Sequence, residues 1–206
     1  MTLTSSDPLI QRIVNAYDDP VVRAYCTVRF MILRQRFLFE IGQYLPDAGT
    51  VLDIGCGSGR YCVEYLRMGK NVVGVDMAAQ MLQIAERICK SEFPDGRVTF
   101  RCANYLDCKF DEKFDAAVLM GLFDYVEDPG RLLRKVKGDV TKFIFASFPR
   151  KHNLLNSIRK VRYRYIKNCP LYYHSKEELE LLMKTCGFNN YEIADNDREF
   201  YLKVIL

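Results

Sequence analysis

The sequence lacks the usual signatures of zinc sites, disulfide frameworks and membrane spans. Its eight cysteines form no C-x-x-C pair and no Cys/His cluster with the spacing of zinc ligands. Cys26, Cys62, Cys89 and Cys186 fall among helix-patterned residues, where a free thiol packs as a small hydrophobe. No apolar run reaches the length of a membrane span, and the first six residues lack the charged and apolar regions of a signal peptide. We therefore expect a cytoplasmic protein with reduced cysteines, no transmembrane segment and no bound metal.

The chain also lacks internal repeats, low-complexity tracts and a strong charge of either sign. At 206 residues it is long enough for one domain with a full core. The formal net charge of +4 excludes no class of partner by itself. The informative features are therefore local motifs and the distribution of charge along the chain.

A glycine-rich stretch follows a short apolar run near residue 50. Residues 51–54 have the pattern of a strand buried on both faces, and Gly55, Gly57 and Gly59 follow at every second position. An amphipathic segment from Ser58 to Met68 predicts a helix after this turn. Glycines permit left-handed backbone angles and a close approach of a ligand to the main chain, and the first helical N–H groups face such a ligand. The pattern is D-x-G-x-G-x-G, whereas a dinucleotide fingerprint would need a third glycine at Arg60.

A second apolar run ends in an acid. Residues 71–75 predict another buried strand, and Asp76 follows it about 20 residues after the glycines, the interval that a βαβ unit needs to bring the acid beside the first turn. A carboxylate at that place can accept hydrogen bonds from both hydroxyls of a ribose. The alternative is that Asp76 only caps the helix that follows.

Together, the glycine stretch and Asp76 resemble the first motifs of the class I S-adenosylmethionine (SAM) methyltransferases. The resemblance covers residues 50–206 and implies an α/β fold with a Rossmann-like, seven-stranded, mostly parallel sheet whose last strand is antiparallel. It also implies an N-terminal helical addition and a helical insertion after strand five. We expect a single methyltransferase domain over 1–206, divided into an N-terminal helical cap (1–48), a SAM-binding core (49–148), a basic substrate-side insertion (149–174), and a closing helix and hairpin (175–206).

The resemblance also implies which residues hold SAM. Asp53 would orient the methionine ammonium, directly or through a water, and Asp76 would hold the ribose. Asn104 stands where the family has an acid that accepts from the adenine amino group, and its amide oxygen can accept the same bond; Asp107 is the alternative acceptor. The expected cofactor-binding residues are Asp53, Gly55, Cys56, Gly57, Gly59, Asp76, Met77, Asn104, Tyr105, Met120 and Gly121.

Asp124 and Tyr125 are the candidate catalytic residues. They follow predicted strand four, at the carboxyl end of a central strand, where ligands bind in open α/β sheets. Many small-molecule methyltransferases carry a histidine in this stretch, and here the residues are Phe-Asp-Tyr. Either side chain would orient the acceptor or take its proton. The alternative for Asp124 is a helix cap.

Residues 149–174 contain seven lysines and arginines, no acid and several interleaved tyrosines. Such a segment suits an anionic or planar acceptor. It would equally suit a phospholipid surface or a nucleic acid, or be a solvated basic helix. Ser175 and Glu178 then form a capping box, which predicts the start of the closing helix.

Several methyltransferase subclasses are set aside by missing motifs. Residues 120–123 are Met-Gly-Leu-Phe, not the [DNS]-P-P-[YF] of enzymes that methylate exocyclic amines of DNA, and no Pro-Cys pair provides the nucleophile of base-carbon methylases. Ser147 and Phe148 stand where metal-dependent catechol-type enzymes have an Asp-Asn pair. We expect metal-independent methyl transfer to a small molecule, most simply to oxygen. The alternatives are a nucleic-acid (RNA) methyltransferase that uses the basic insertion and a non-catalytic SAM-binding protein; no feature singles out an oligomeric state.

Overall fold

The computed structural model describes residues 41–151, 171–195 and 199–206. Within these ranges, seven strands form one sheet in the order β3-β2-β1-β4-β5-β7-β6. The strands are β1 (Thr50–Ile54), β2 (Asn71–Asp76), β3 (Val98–Cys102), β4 (Phe114–Leu119), β5 (Val140–Pro149), β6 (Tyr191–Asp195) and β7 (Glu199–Ile205). The α-helices that lie wholly in the described ranges are α1 (Arg60–Arg67), α2 (Ala79–Glu92), α3 (Pro129–Asp139) and α4 (Lys176–Thr185).

The strands pair as the predicted fold class requires. β1 pairs in parallel with β2 and with β4, so that Leu52 lies between Val73 and Ala117. β7 runs antiparallel to both β5 and β6. β1 and β4 are buried almost throughout, which accounts for their continuous apolar sequences. The prediction of a Rossmann-like, mostly parallel sheet with an antiparallel last strand is therefore confirmed.

Helices cover both faces of the sheet and form two apolar layers. On one face, residues 41–45 and helices α1 and α2 pack against alternate residues of β1, β2, β4 and β5. On the other face, α3 and α4 pack against the residues between them, including Phe148. Because both faces are covered, the polar chemistry of the molecule is concentrated at the ends of the strands.

The strand order creates a crevice between β1 and β4. The chain proceeds outward from β1 to β2 and β3, then returns to the other side of β1 to form β4 and β5. The loops after β1 and β4 therefore diverge to opposite sides at the carboxyl edge of the sheet. This topological switch point is where open α/β sheets bind ligands.

Two predicted parts of the chain fall largely outside the described residues. The N-terminal helical cap is described only from residue 41, of which residues 41–44 are helical. The basic insertion is described only for 149–151 and 171–174, so most of its cations lie outside the described ranges. The domain boundaries within 1–206 remain predictions. The capping box of α4 is present, with Glu178 N donating to Ser175 Oγ (3.3 Å) and Ser175 N donating to Glu178 Oε2 (2.9 Å).

Candidate functional site

The loop after β1 depends on its glycines for both backbone angles and space. Gly55, Gly57 and Gly59 have φ values of 73°, 52° and 73°, in the left-handed region. A Cβ at Gly59 would lie 2.8 Å from the Cβ of Ala85, and one at Gly55 would lie 2.9 Å from Leu122 Cδ1. The loop is thus held tightly between α2 on one side and the loop after β4 on the other, with its backbone at the switch point.

Asp76 connects this loop to the start of α2. Its Oδ2 accepts a hydrogen bond from Gly57 N (2.8 Å) and its Oδ1 accepts one from Ala78 N (2.8 Å). Burial raises the pKa of Asp76, and the backbone donors act against that shift. Each carboxylate oxygen has a second lone pair, and the residue is only half-buried. Asp76 therefore binds the helix end and the glycine loop together and can still accept further hydrogen bonds.

Asp53 lies beneath the same loop and is 1% exposed. Its Oδ2 accepts a hydrogen bond from the thiol of Cys62, at an Sγ–Oδ2 distance of 3.3 Å. Burial, partly offset by the Cys62 thiol and reinforced by the charge of Asp76, raises the pKa of Asp53 to about 7. Asp53, which is predicted to bind the ammonium group of methionine, therefore keeps its proton to a higher pH than an ordinary carboxyl group does.

The predicted adenine side is built on a 3₁₀ turn at Tyr105–Asp107. Asn104 caps this turn, because its Oδ1 accepts a hydrogen bond from Leu106 N (3.0 Å). The Tyr105 hydroxyl donates to Asp139 Oδ2 (2.6 Å) of α3. The ring of Tyr105 therefore packs in the core on the α3 face, and only the backbone of this residue is available to contact an adenine ring. The alternative acceptor Asp107 is exposed.

The loop after β4 is anchored by Ser147, which was not among the predicted site residues. Gly121 N donates to the buried hydroxyl of Ser147 on β5, at 2.8 Å. Leu122 packs against Gly55 and so connects the two loops at the switch point. Met120 and Gly121, both expected to touch the cofactor, are half-buried at this place. Ser147 and Leu122 join residues far apart in the sequence, so no local pattern indicates their roles.

Asp124 is a buried acid at 2% exposure, and Tyr125 beside it is half-buried. The carbonyl of Asp124 accepts a hydrogen bond from Tyr172 N (2.9 Å), which ties the β4 loop to the segment before α4. The N-cap of α3 is Asp128, whose Oδ1 accepts from Arg131 N (2.9 Å). The helix-capping role considered for Asp124 therefore belongs to Asp128.

His174 completes the acceptor side and was not among the predicted site residues. Its backbone N–H donates to Pro149 O (2.9 Å), so it lies beside the end of β5. Its ring meets Phe148 edge-on, with centroids 5.2 Å apart, and Phe148 stacks on Phe123 at 4.0 Å. Burial lowers the pKa of His174, so the imidazole is neutral near pH 7. The only sequence signal for it is its place directly before the Ser175 cap.

Two searches of the described ranges bear on metals and membranes. These ranges hold no group of three or more His, Cys, Asp or Glu side chains placed to bind a metal ion. No helix in them combines the length and the low polarity that crossing a bilayer demands.

Comparison with known proteins gives consistent results. Residues 51–140 match a family model described as a methyltransferase domain. A demethylmenaquinone methyltransferase of Porphyromonas gingivalis is 36% identical over 99 residues, which cover 46% of this chain and 40% of that protein. A ubiquinone biosynthesis O-methyltransferase of Nitrobacter winogradskyi is 34% identical over 83 residues, covering 40% and 31% respectively. The chain thus spans less than half the length of these curated relatives.

Solved structures share the fold over nearly the whole chain. The magnesium protoporphyrin IX methyltransferase of Synechocystis with bound SAH superposes with a TM-score of 0.73 at 16% identity, covering 95% of this chain and 93% of that one. An O-methyltransferase family protein of Burkholderia thailandensis gives a TM-score of 0.71 at 15% identity, covering 99% and 74%. At these identities, the likeness concerns the fold.

Proposed function

We propose that this chain is a class I SAM-dependent methyltransferase. In this proposal it transfers the methyl group of SAM to an oxygen atom of a small aromatic or anionic acceptor, without a metal ion. The observation that carries the proposal is the hydrogen bond from Gly57 N to Asp76 Oδ2 (2.8 Å), which holds the glycine loop and the acid together at the switch point. A ligand with both a ribose and a charged amino-acid end fits a site with these groups.

The cofactor side uses backbone and a few polar side chains. In this proposal, Gly55, Gly57 and Gly59 face the methionine and the sugar, Asp76 accepts from the ribose hydroxyls, and Asp53 attracts the ammonium group. The base lies against the 3₁₀ turn, with Asn104 and the Tyr105 backbone as its polar partners. The remaining contacts are those of Cys56, Met77, Met120 and Gly121.

The proposed acceptor side combines the half-buried Tyr125 with a buried acid, Asp124. Phe123 and Phe148 form a stacked pair that is fully buried and supports the segment carrying Asp124 from beneath, and several of the curated relatives are named as O-methyltransferases. When bound, SAM supplies a methyl group attached to a positively charged sulfur. After the transfer this sulfur is part of a neutral thioether, so the leaving group needs no proton. The residues of this chain then have two tasks: to hold the acceptor in line with that methyl group, and to exclude water.

Asp124 and Tyr125 are proposed to orient the acceptor and to take its proton. An acceptor hydroxyl must lose its proton as the new C–O bond forms, and a positioned base accelerates such a step. Asp124 is the buried carboxyl at the end of β4, and its backbone is fixed by the bond from Tyr172. A general base at Asp124 would therefore have a fixed position and be shielded from solvent.

The experiment is a transfer assay with SAM that carries a labelled methyl group and a lysate separated into small-molecule, RNA, DNA and protein fractions. We expect label in the small-molecule fraction. Mild base releases it as methanol if the product is a methyl ester, whereas a methyl ether keeps its label under the same treatment. Label only in RNA or DNA would replace the proposal with nucleic-acid methylation. Binding of SAM with no label in any fraction would indicate a non-catalytic SAM-binding protein.

The basic insertion is proposed to contact the acceptor, on the strength of its composition alone. Replacement of Arg159, Lys160, Arg162 and Arg164 by Gln should raise the acceptor KM about tenfold, as loss of charge-assisted contacts would do, and leave SAM affinity unchanged. A matched variant replaces four exposed cations elsewhere, Lys90, Lys109, Lys113 and Arg131, by Gln. Equal acceptor kinetics in the two variants would reject this role.

A further inference from the structure

The environment of Asp53 differs from that of every other acid in the described site. It is the penultimate residue of β1, and its neighbours across the sheet, Gly74 and Val118, carry no polar side chain. The loop above it contributes Cys56, and α1 contributes Cys62 and Tyr65, all buried. The Tyr65 hydroxyl itself has no hydrogen-bond partner. The carboxyl is therefore enclosed by thiols, a phenol and apolar groups.

Within residues 41–151, 171–195 and 199–206, no cation lies against Asp53 to compensate a charge on it. The described titratable groups that interact with it are the thiols of Cys56, Cys62 and, on α2, Cys89, the phenol of Tyr65 and the carboxylate of Asp76. The thiols and the phenol are neutral near pH 7. The hydrogen bond between the two thiols lowers the pKa of Cys56, but burial outweighs it, and the same bond together with burial raises the pKa of Cys62. Burial also raises the pKa of Cys89 and of the Tyr65 phenol, and Asp76 adds a negative charge. A buried carboxylate without a partner is strongly unfavourable, and a group in that position keeps its proton instead.

We infer that Asp53 is protonated in the unliganded protein and releases its proton when SAM binds, so that uptake of this cation and ionisation of Asp53 are one linked step. The inference rests on the proposed function, because SAM is the ligand that brings the compensating charge. Its ammonium and sulfonium groups would supply the positive charge that no described side chain provides. The resulting ion pair would form only in the bound state.

Because SAM binding and proton release from Asp53 are coupled, the direction in which SAM affinity changes with pH is determined. The pKa of Asp53 is about 7 without ligand, and a bound cation lowers it. Above that pKa the carboxylate is already present, and Asp53 contributes no further pH dependence. Below it, a proton must be displaced for each SAM bound, so affinity falls by up to about tenfold per pH unit. The α-amino group of the ligand stays protonated over this acidic range.

A change at Cys62 should shift the pH below which SAM affinity falls, while the carboxyl group of Asp53 stays in place. The hydrogen bond from the Cys62 thiol to Oδ2 (3.3 Å) favours the ionised form of Asp53. Replacing Cys62 by Ala should therefore move the onset of weakened binding to higher pH. Cys186→Ala is the matched control, because Cys186 is also a buried cysteine but lies at the end of α4 on the opposite face of the sheet.

The test is titration calorimetry of the full chain with SAM at several pH values between about 5.5 and 8, in pairs of buffers with different ionisation heats. We expect proton release of up to about one per site and weakening affinity below about pH 7 for the parent and Cys186→Ala. The onset should lie at higher pH in Cys62→Ala, and Asp53→Asn should show neither proton release nor the pH slope. Thermal unfolding checks that each variant is folded.

Each other outcome has a distinct meaning. SAM binding that is independent of pH and releases no proton in the parent overturns the inference and leaves the proposed function intact. A pH slope that persists in Asp53→Asn also overturns it, because the slope then belongs to another group, Asp76 being the nearest candidate. Absence of SAM binding at every pH in a folded parent overturns the proposed function and the inference with it.

Discussion

The two halves of the crevice, one at the loop after β1 and one at the loop after β4, differ in whether backbone or side chains form them. The proposed cofactor half consists mainly of backbone, a glycine loop and a strand end, with two acids: Asp53 beneath the loop, and Asp76, which joins the loop to the start of α2 through main-chain hydrogen bonds. The proposed acceptor half consists of side chains from the loop after β4, the end of β5 and the segment before α4, which rest on the buried Phe123–Phe148 stack. Backbone geometry tolerates few substitutions, whereas side chains can be exchanged without changing the fold. The first half is therefore suited to a fixed ligand and the second to a variable one.

The first way to test this contrast is to disturb the backbone of the cofactor half. Gly59→Ala places a Cβ at 2.8 Å from Ala85 Cβ at a φ of 73°, and we expect a loss of about 3 kcal/mol of unfolding free energy, from left-handed strain together with overpacking. Gly69→Ala is the matched control, since Gly69 has a φ of 72° but nothing within 4 Å. It should cost about 1 kcal/mol. Urea unfolding measures both, and equal losses would show that packing against α2 is unimportant.

A second test removes the proposed base of the acceptor half. Asp124→Asn should lower the rate of methyl transfer to a hydroxyl acceptor about 100-fold, the usual size of general-base catalysis, and change SAM affinity less than about twofold. The control is Asp128→Asn, four residues away, because Asp128 serves as the cap of α3. Equal rates in the two variants would remove Asp124 from the mechanism.

A smaller effect is expected from His174, which fixes the end of β5 to the acceptor half. Burial holds its pKa below the ordinary value, so the unfolded chain binds a proton that the folded chain does not. Stability is then complete above about pH 6.5 and decreases as the pH falls below that value. Thermal unfolding at about pH 7.5 and 5.5 should show a drop in the parent that is smaller in His174→Gln. His152→Gln is the control. If stability decreases between the two pH values by the same amount in His174→Gln as in His152→Gln, the decrease belongs to groups other than His174.

The cofactor half could be predicted from the sequence because its parts are close together in the chain. Strand β1, the glycine loop and Asp76 fall within residues 50–76, and each has a local signature. The helix after the loop was predicted from Ser58 and begins at Arg60, because Gly59 still has a left-handed φ of 73°. Two alternative roles were predicted for Asp76, ribose binding and capping of the next helix. Its Oδ1 accepts from Ala78 N at the start of α2 and its Oδ2 from Gly57 N in the loop, while ribose binding stays a prediction.

The acceptor half could not be predicted in the same way. Ser147 is 26 residues from Gly121, and Tyr172 is 48 residues from its partner Asp124. No pattern within one segment indicates such contacts, because tertiary packing decides them. The direction of a side chain is equally hidden: Tyr105 follows the expected adenine segment, but its hydroxyl bonds to Asp139, 34 residues away.

The most direct measurement is calorimetry of SAM binding to the parent, Asp76→Ala and the exposed-turn control Asp95→Ala. If the glycine loop and Asp76 together hold the adenosyl group, Asp76→Ala should weaken binding at least about 100-fold, because charge-assisted hydrogen bonds contribute about 1.5–3 kcal/mol each. Asp95→Ala should bind like the parent. Binding to Asp76→Ala that is as tight as to the parent, or no heat from SAM with a folded parent, would contradict the assignment of this crevice to SAM.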